Sequence, residues 1–220
     1  EISYEIVTDQ LQGEADVILH SKGVVAPVAG NIKSKLNLEE IQTQHTQSFS
    51  AKVCYETYSA MGIDYGAAHR GLKEVYVNDS SVLAKVVLPN SIIETEKHYI
   101  LHPSTMDSAL QSSIGLAIGT LSDGEYQRKI SKPLLPFAMQ SLEIVSGCTK
   151  QMWAGVRLAE GSTTSTAVQK LDIDLCDEQG NICVKMRGFS SRVLGEPSVK
   201  KSEYINSPVS ENECATATMM

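Results

Sequence analysis

Residues 103–118 read PSTMDSALQSSIGLAI, and this stretch carries the only long helical pattern in the sequence. Apolar and small side chains recur at the i, i+3, i+4 and i+7 positions that form one face of a helix: Met106, Ala109, Leu110, Ser113, Ile114 and Ala117. Pro103 suits the first turn, where the backbone amide has no partner within the helix. The stretch contains one charged residue, Asp107, so we expect a single long helix that is buried on most sides.

Strand patterns lie on both sides of this helix in the chain. Alternating apolar residues predict two strands within residues 1–25, with a turn at Gln10–Gly13 between them. A hairpin is predicted from residues 71–77 and 81–88, with Asn78-Asp79 in its turn. The other predicted elements are a short helix from Ser50 to Met61 that ends at Gly62, the strands Leu142–Val145, Met152–Leu158, Val168–Leu175 and Ile182–Val193, and a turn at Gln179-Gly180-Asn181. An antiparallel sheet wrapped around one central helix is the α+β architecture called a hotdog fold.

The length, charge and cysteine content of the chain exclude several classes of protein. Its 220 residues correspond to one domain, or one and a half, at ~150 residues per domain. A formal net charge of −7 is unsuited to binding nucleic acid. The longest apolar window, Ile114–Leu121, is far shorter than the ~20 residues of a membrane span, so no membrane partner is expected. Five scattered cysteines without a C-x-x-C pair indicate reduced thiols in a cytoplasmic protein.

Asp107 is the residue whose surroundings most suggest chemistry. Gln111 lies four residues further on, so the two side chains project from the same face of the helix. Ser104-Thr105-Met106-Asp107 also fits a capping box, in which the acid bonds back to the amide of Ser104, and spacing alone favours this structural role. The alternative is a general acid, because burial favours the protonated form of a carboxyl group. The spacing leaves both roles open.

The other polar candidates point less clearly to a site. Tyr65-Gly66 follows the short helix, where a tyrosine ring packs on the core more often than it lines a pocket. His98 and His102 are separated by four positions on a segment predicted to be extended, roughly 13 Å, which is too far to share a metal ion. The sequence contains no G-x-S-x-G, P-loop or G-x-G-x-x-G motif, so serine hydrolysis and nucleotide binding are not expected.

Four short motifs occur in a fixed order along the chain. Tyr65–Leu72 reads YGAAHRGL, His102–Gln111 reads HPSTMDSALQ, Leu135–Ala138 reads LPFA, and Gly188-Phe189 comes last. They resemble the Y-G-P-x-F-x-G-L loop, the H-P-x-x-x-D-x-x-x-Q helix, the L-P-F-x strand entry and the end of the last strand in dehydratase domains of bacterial modular polyketide synthases. Within the loop, Ala67 stands at the position of the usual proline, and His69 stands at the position of the usual phenylalanine. The resemblance covers about residues 1–194 and is closest to the type served by a separate (trans) acyltransferase.

This resemblance implies a fold, a reaction and a set of site residues. The family fold is a double hotdog, with two hotdog halves side by side and the active site between them. The family reaction removes water from a 3-hydroxyacyl chain to give a 2-enoyl thioester, with no bound cofactor and with the chain carried on the phosphopantetheine arm of an acyl carrier protein. The resemblance implies that Asp107 is the general acid and that Gln111 supports it. It also implies a substrate site lined by Tyr65, Gly66, His69, His102, Leu135 and Pro136.

The resemblance further implies a catalytic histidine within H-x-x-x-G-x-x-x-x-P, and the sequence has no such motif. His20–Pro27 contains a histidine, a glycine and a proline at a different spacing. We therefore expect residues 1–25 to be the last strands of the first hotdog half, 26–48 a polar linker, 49–195 the second half and 196–220 a flexible tail. The absence of Met at position 1 fits a chain that lacks most of the first half, and no signal-peptide pattern is present at its start.

The expected partners follow from the same resemblance. They are an acyl carrier protein, neighbouring synthase domains, the missing first hotdog half and a second copy of the chain in a homodimer. Docking of an acidic carrier on this acidic chain requires basic residues such as Arg70, Lys73 and Lys85 to cluster. Two alternatives stay open on the same scaffold: a double-bond-shifting enoyl isomerase, and a domain that binds the carrier without turnover.

Overall fold

The computed structural model describes residues 1–8, 17–27, 34–119, 134–162, 168–193 and 216–219. The strands in these ranges are β1 (Ile2–Thr8), β2 (Ile18–Pro27), β3 (Gln47–Ser50), β4 (Leu72–Val77), β5 (Ser81–Val87), β6 (Leu134–Ala138), β7 (Ser141–Ile144), β8 (Gln151–Leu158), β9 (Val168–Cys176), β10 (Ile182–Val193) and β11 (Thr216–Met219). The helices are α1 (Leu38–Gln44), α2 (Ala51–Ala60), α3 (Pro103–Gln111) and α4 (Ile114–Gly119), with 3-10 segments at Ala67–His69 and Asn90–His98. None of these described helices is long and apolar enough to cross a membrane.

One sheet contains all of the described strands. Their order is β1-β2-β11-β7-β10-β9-β8-β5-β4-β3, and β6 pairs with the end of β10. Neighbours are antiparallel, except that β11 runs parallel to both β2 and β7. Helix α3 packs against β5 and β9, and α4 packs against β4 and β5. The predicted α+β arrangement, an antiparallel sheet packed on helices from residues 103–118, is confirmed.

The core lies between these helices and the sheet. In β8, the side chains of Met152, Ala154 and Val156 are buried and alternate with more exposed neighbours, as the period of two in a strand requires. Ala109 of α3 and Ile118 of α4 are fully buried on the opposing side. Burial of one large aliphatic side chain contributes roughly 1.5–3 kcal/mol, so Ile118 stabilises the packing of α4 on the sheet.

The helix predicted over residues 103–118 is interrupted, so the expectation of one continuous helix was wrong. Helices α3 and α4 lie on either side of Ser112 and Ser113. The hydroxyl of Ser112 donates to the carbonyl of Ala109 at 2.6 Å, and that of Ser113 donates to the carbonyl of Leu110 at 2.7 Å. Such side-chain bonds compete with the helical hydrogen bonds of the backbone. The apolar pattern continues through the break, which is why periodicity did not reveal it.

The segment predicted as a polar linker contains regular structure. Helix α1 lies within residues 26–48, and Oδ1 of its N-cap Asn37 accepts a hydrogen bond from the amide of Glu40 at 3.3 Å. The amide of Leu36 donates to the carbonyl of Gly180 at 2.8 Å, which attaches the segment to the β9–β10 turn. The sequence hid this helix because most of its residues are polar and none of them is buried.

The predicted flexible tail also requires a correction. Residues 216–219 form β11, which inserts between β2 and β7. Parallel pairing depends on strands that are far away in the sequence, so four residues of a polar tail gave no sign of it. Residues 194–215 and 220 lie outside the described residues.

Strands β1 and β2, the β4–β5 hairpin and the turn before β10 agree with their predictions. β1 pairs with β2, and Asn78 closes the β4–β5 hairpin by accepting hydrogen bonds at Oδ1 from the amides of Ser80 and Ser81. The turn before β10 places Gly180 at a φ of +83°, a conformation that favours glycine. The predicted turn at Gln10–Gly13 lies outside the described residues.

Candidate active site

The N-cap residue of α3 is His102, whereas the sequence predicted Ser104. Nδ1 of His102 accepts a hydrogen bond from the amide of Ser104 at 3.0 Å, and Pro103 follows as the first helical residue. The hydroxyl of Ser104 instead donates to the carbonyl of Ala68 at 2.6 Å. The capping-box interpretation was therefore wrong, because the helix begins two residues earlier than that pattern assumes. Asp107 consequently lies beyond the first turn and does not cap the helix.

Asp107 and Gln111 meet on one face of α3, as their spacing predicts. Nε2 of Gln111 donates to Oδ2 of Asp107 at 2.9 Å. Nδ1 of His69 lies 3.0 Å from the same oxygen. Among the described residues, no hydrogen bond engages Oδ1 of Asp107. The Asp107 side chain is 35% exposed, so the carboxyl is accessible and not buried as the sequence suggested.

Gln111 is the buried anchor of this cluster. Its Nε2 also donates to the backbone carbonyl of His69 at 2.9 Å, and its Oε1 accepts from the hydroxyl of Tyr55 at 3.1 Å. A carbonyl oxygen only accepts hydrogen bonds, so the nitrogen of the amide must face His69. Tyr58 donates its hydroxyl proton to the backbone carbonyl of Gln111 at 2.7 Å. These bonds fix both the position and the orientation of the amide.

Three tyrosines pack behind the carboxyl. The ring of Tyr65 makes edge-on contacts with Tyr58 and Tyr55, at centroid distances of 5.0 and 6.0 Å. Burial, and secondarily the charge of Asp107, raises the pKa of Tyr65 to about 12. Burial likewise raises the pKa values of Tyr55 and Tyr58 well above their ordinary range. All three hydroxyls therefore stay protonated at neutral pH and do not act as bases. Those of Tyr55 and Tyr58 donate hydrogen bonds to Gln111.

The turn that carries His69 is fixed to its surroundings. Gly66 precedes the 3-10 segment, and no heavy atom lies within 4 Å of the position that a Cβ would occupy there. Nε of Arg70 donates to the carbonyl of Tyr65 at 2.8 Å, and its guanidinium lies 5.4 Å from the centroid of the Tyr55 ring. His69 itself is 51% exposed. The turn thus places the accessible imidazole of His69 next to Asp107.

His102 has a structural role that accounts for both of its ring nitrogens. Nδ1 caps α3, and Nε2 lies 3.0 Å from Oγ1 of Thr95, whose own proton goes to the carbonyl of Ile92. Nε2 must therefore carry the proton, so the ring is neutral with a defined tautomer. Partial burial, and secondarily the nearby His69, lowers the pKa of His102. Its predicted contact with substrate stays a prediction.

Leu135 and Pro136 lie in β6, away from the hydrogen bonds of this cluster. They pair with Arg192 and Ser191 of β10. Pro136 is exposed, and the neighbouring Phe137 ring lies 5.5 Å from the guanidinium of Arg192. No hydrogen bond within the described residues joins β6 to Asp107 or Gln111. Their predicted place at the substrate tunnel stays a prediction.

A cleft of about 530 Å³ opens beside the His69 turn. It is lined by Ala67, Arg70, Lys73, Val87, Leu88, Pro89, Asn90 and Ser91. Two of the three basic residues singled out in the sequence thus share one cleft. The third, Lys85, lies instead 5.8 Å from the centroid of the Trp153 ring.

Sequence reasoning missed two residues of the cluster. Tyr55 joins Gln111 to the amide of Leu72, which donates to the Tyr55 hydroxyl at 3.0 Å. Ser104 ties the start of α3 to the His69 turn. The helical spacing of Tyr55 and Tyr58 signalled only a buried face, because periodicity does not reveal which hydroxyl bonds to which distant group. Within the described residues, no cluster of three or more His, Cys, Asp or Glu side chains could hold a metal ion.

The chain is similar to dehydratase domains of polyketide synthases. Residues 33–201 match the family described as the polyketide synthase dehydratase N-terminal domain. The polyketide synthase PksL of Bacillus subtilis (strain 168) is 41% identical over 195 residues, which is 88% of this chain and 4% of PksL. The chain thus spans only a small part of this relative.

Solved structures show the same similarity in three dimensions. A trans-AT PKS dehydratase domain from Brevibacillus brevis superposes with a TM-score of 0.77 at 43% identity, over 87% of this chain and 64% of that one. The dehydratase domain from the CurK module of the curacin polyketide synthase gives a TM-score of 0.64 at 28% identity, over 80% of this chain and 56% of that one. The predicted hotdog fold is confirmed by these relatives.

Proposed function

Because this chain belongs to the polyketide synthase dehydratase family, we propose that it supplies the general acid for dehydration of a carrier-bound 3-hydroxyacyl chain. The acid is Asp107. The observation that carries this assignment is the accessible Asp107 carboxyl, which a buried glutamine amide holds by one oxygen while the other oxygen makes no hydrogen bond among the described residues. An acid of this kind needs one oxygen fixed and the other open to the substrate.

The reaction requires two groups: a base that removes a proton from the substrate and an acid that donates a proton to it. A base takes the proton from the carbon next to the thioester carbonyl, and the electron pair of that C–H bond forms the new double bond. The bond between the substrate's third carbon and its hydroxyl breaks at the same time. Asp107 gives its proton to the departing hydroxyl, which leaves as water, and the resulting carboxylate is stabilised by the amide of Gln111.

The base is contributed by a part of the dehydratase domain outside this chain. The sequence lacks the histidine motif that the resemblance implies for that role. Structures of the CurK dehydratase described as inactive mutants carry phenylalanine in place of a histidine in one case and asparagine in place of an aspartate in the other. These relatives support a pair of essential groups, of which this chain supplies the aspartate.

The exposed apolar face of β1 is where the remaining part of the domain packs. Ile2 and Ile6 lie on the same face of β1, because side chains alternate along a strand, and they are 71% and 56% exposed. A contiguous apolar patch of this kind is typical of an interface. The chain covers 64% of the Brevibacillus brevis dehydratase structure, so about a third of such a domain is available to cover this face.

The acyl carrier protein approaches from the cleft that Arg70 and Lys73 line. Carrier proteins of this kind are acidic, so two cations beside the Asp107 turn favour docking on a chain whose net charge is −7. The phosphopantetheine arm then reaches from this cleft to the Asp107 carboxyl. No bound cofactor takes part in the reaction.

The proposal is tested with a 3-hydroxyacyl thioester on an acyl carrier protein. The substrate is incubated with this chain alone and with a longer protein that also contains the remaining third of the domain. We expect loss of one water, seen by mass spectrometry, with the longer protein and almost none with the chain alone. Dehydration by the chain alone contradicts the external base. Conversion of a 2-enoyl thioester to its 3-enoyl isomer without dehydration identifies an isomerase instead.

A further inference from the structure

We propose that His69 is a positioning residue for the general acid, because its Nδ1–H holds Oδ2 of Asp107 and thereby leaves the acidic proton on Oδ1. This inference rests on the proposed function, since the location of the proton matters only if Asp107 protonates a leaving group. It assigns to His69 a role other than the substrate contact that the sequence suggested. The resembling loop motif has phenylalanine at this position, and phenylalanine has no proton to donate.

The hydrogen bonds around the carboxyl distinguish its two oxygens. Oδ2 lies 2.9 Å from Nε2 of Gln111 and 3.0 Å from Nδ1 of His69. The amide orientation is fixed by the bond from the same nitrogen to the carbonyl of His69, so Gln111 is certainly a donor to Oδ2. An oxygen that accepts two hydrogen bonds is the poorer location for the acidic proton. Oδ1, which no hydrogen bond engages among the described residues, is the better one.

The three forms of the His69 ring have different consequences for Asp107. A doubly protonated ring at 3.0 Å favours the carboxylate, which has no proton to give. A neutral ring protonated on Nε2 presents a lone pair to Oδ2, which draws the acidic proton onto Oδ2 and away from the substrate. A neutral ring protonated on Nδ1 donates to Oδ2 and leaves the proton on Oδ1. Only this third form suits a general acid.

The neighbours of His69 fix its position. His102 lies close by, since a charge on His69 lowers the pKa of His102. The backbone of His69 is held by Gln111, and the preceding residue accepts the hydroxyl bond of Ser104. The imidazole therefore reaches Asp107 from a backbone that α3 itself holds in place.

The tautomer is tested on the 220-residue chain by NMR of protein labelled with ¹⁵N in its histidines. The His69 resonances are assigned by their disappearance in His69→Asn. We expect a neutral ring with the proton on Nδ1 at neutral pH. A proton on Nε2, or protons on both nitrogens, overturns the proposal.

The positioning role is tested by dehydration rates in the completed domain. We expect His69→Phe to lower kcat about 10-fold, a fraction of the ~10²–10⁴ that a general acid contributes, with KM unchanged. His69→Asn keeps an N–H near the Nδ1 position, so we expect it to retain at least a third of the wild-type kcat. The matched control is His98→Phe, which makes the same change at an exposed position outside the cluster and should leave kcat unchanged.

The outcomes separate this inference from the proposed function. If Asp107→Asn abolishes dehydration while His69→Phe retains the wild-type kcat, the role of His69 is refuted and that of Asp107 stands. If His69→Asn is as slow as His69→Phe, the donated hydrogen bond is not what matters and the inference fails. If Asp107→Asn remains active, the proposed function itself fails.

Discussion

The amide nitrogen of Gln111 donates a hydrogen bond of 2.9 Å to the carboxyl of Asp107, one helical turn earlier on α3. Gln111 is only 1% exposed, whereas Asp107 is 35% exposed at its side chain. A buried residue thus orients an accessible one. We therefore expect the reactivity of Asp107 to depend on the packing that holds Gln111 in place.

Replacement of Gln111 by leucine should destabilise the fold and impair Asp107. The change removes the partner of the His69 carbonyl and of the Tyr55 hydroxyl. An unsatisfied buried polar group costs about 1–3 kcal/mol, so we expect the free energy of unfolding in urea to fall by that amount. The control is Gln179→Leu in an exposed turn. Equal unfolding free energies for the two variants contradict the anchoring role of Gln111.

The coupling between Tyr55 and Gln111 can be measured directly. Tyr55→Phe removes a hydroxyl that donates to Gln111 at 3.1 Å and accepts from the amide of Leu72 at 3.0 Å. We expect a loss of about 1 kcal/mol or more in unfolding free energy. In a double-mutant cycle with Gln111→Leu, the two losses should not add, because the groups share a bond. Simple additivity of the losses contradicts the contact.

Substitution by alanine should destabilise the protein at Gly71 but not at Gly66. A Cβ at Gly71 would clash with Oγ of Ser108, the residue after Asp107, and would lie 3.2 Å from the carbonyl oxygen of Val87. We expect Gly71→Ala to lower the free energy of unfolding by about 1–3 kcal/mol, as overpacking does, and to displace Asp107.

Gly66 is the matched control for Gly71. It has a φ of −71°, and no heavy atom lies within 4 Å of its would-be Cβ. Gly66→Ala should therefore leave thermal stability unchanged or slightly raised. If substrate passes Gly66, this variant loses dehydration activity without losing stability. Equal destabilisation by both substitutions contradicts the packing described around Gly71.

The neutral His102 cap predicts a loss of stability in mild acid. Partial burial lowers the pKa of His102 below its ordinary value of 6.5, so folding favours the neutral ring. This contribution is fully present above about pH 6.5 and is lost as pH falls through the lower pKa of the folded state. We expect urea unfolding at decreasing pH to show this loss, because protonated Nδ1 no longer accepts from the amide of Ser104.

His102→Asn separates the cap from the other titrating groups. Asparagine is a favourable N-cap and does not titrate, so it preserves the hydrogen bond at all pH values. Below pH 6.5 this variant should lose less stability than the wild type. The same slope of stability against pH in both proteins contradicts the role of His102.

The sequence predicted those features that depend on local pattern. The strands β4, β5, β8, β9 and β10, the helix α2 and the face shared by Asp107 and Gln111 all follow from periodicity or spacing. The break at Ser112 and Ser113 was missed because their hydroxyl bonds leave the apolar pattern unchanged. Helix α1 and strand β11 were missed because their sequences are polar, and because β11 pairs with strands distant in the chain.

The sequence named some residues of the candidate site but did not reveal how they are connected. The resemblance pointed to Asp107, Gln111 and His69, yet the sequence alone gave no sign that His69 and Gln111 meet on the same carboxyl oxygen. The capping-box pattern misplaced the helix start, since a histidine cap followed by proline is a rarer way to begin a helix than a serine cap. Contacts across many residues arise from the packing of α3 against the His69 turn, which no local pattern encodes.

The central claim is that Asp107 donates the proton that the leaving hydroxyl takes. The most direct measurement is the rate of water loss from a carrier-bound 3-hydroxyacyl chain in the completed domain with Asp107→Asn, beside the control Asp79→Asn in the exposed β4–β5 turn. The account predicts that Asp107→Asn slows dehydration by about 10²–10⁴-fold while Asp79→Asn retains the wild-type rate. Dehydration at the wild-type rate by Asp107→Asn would contradict it.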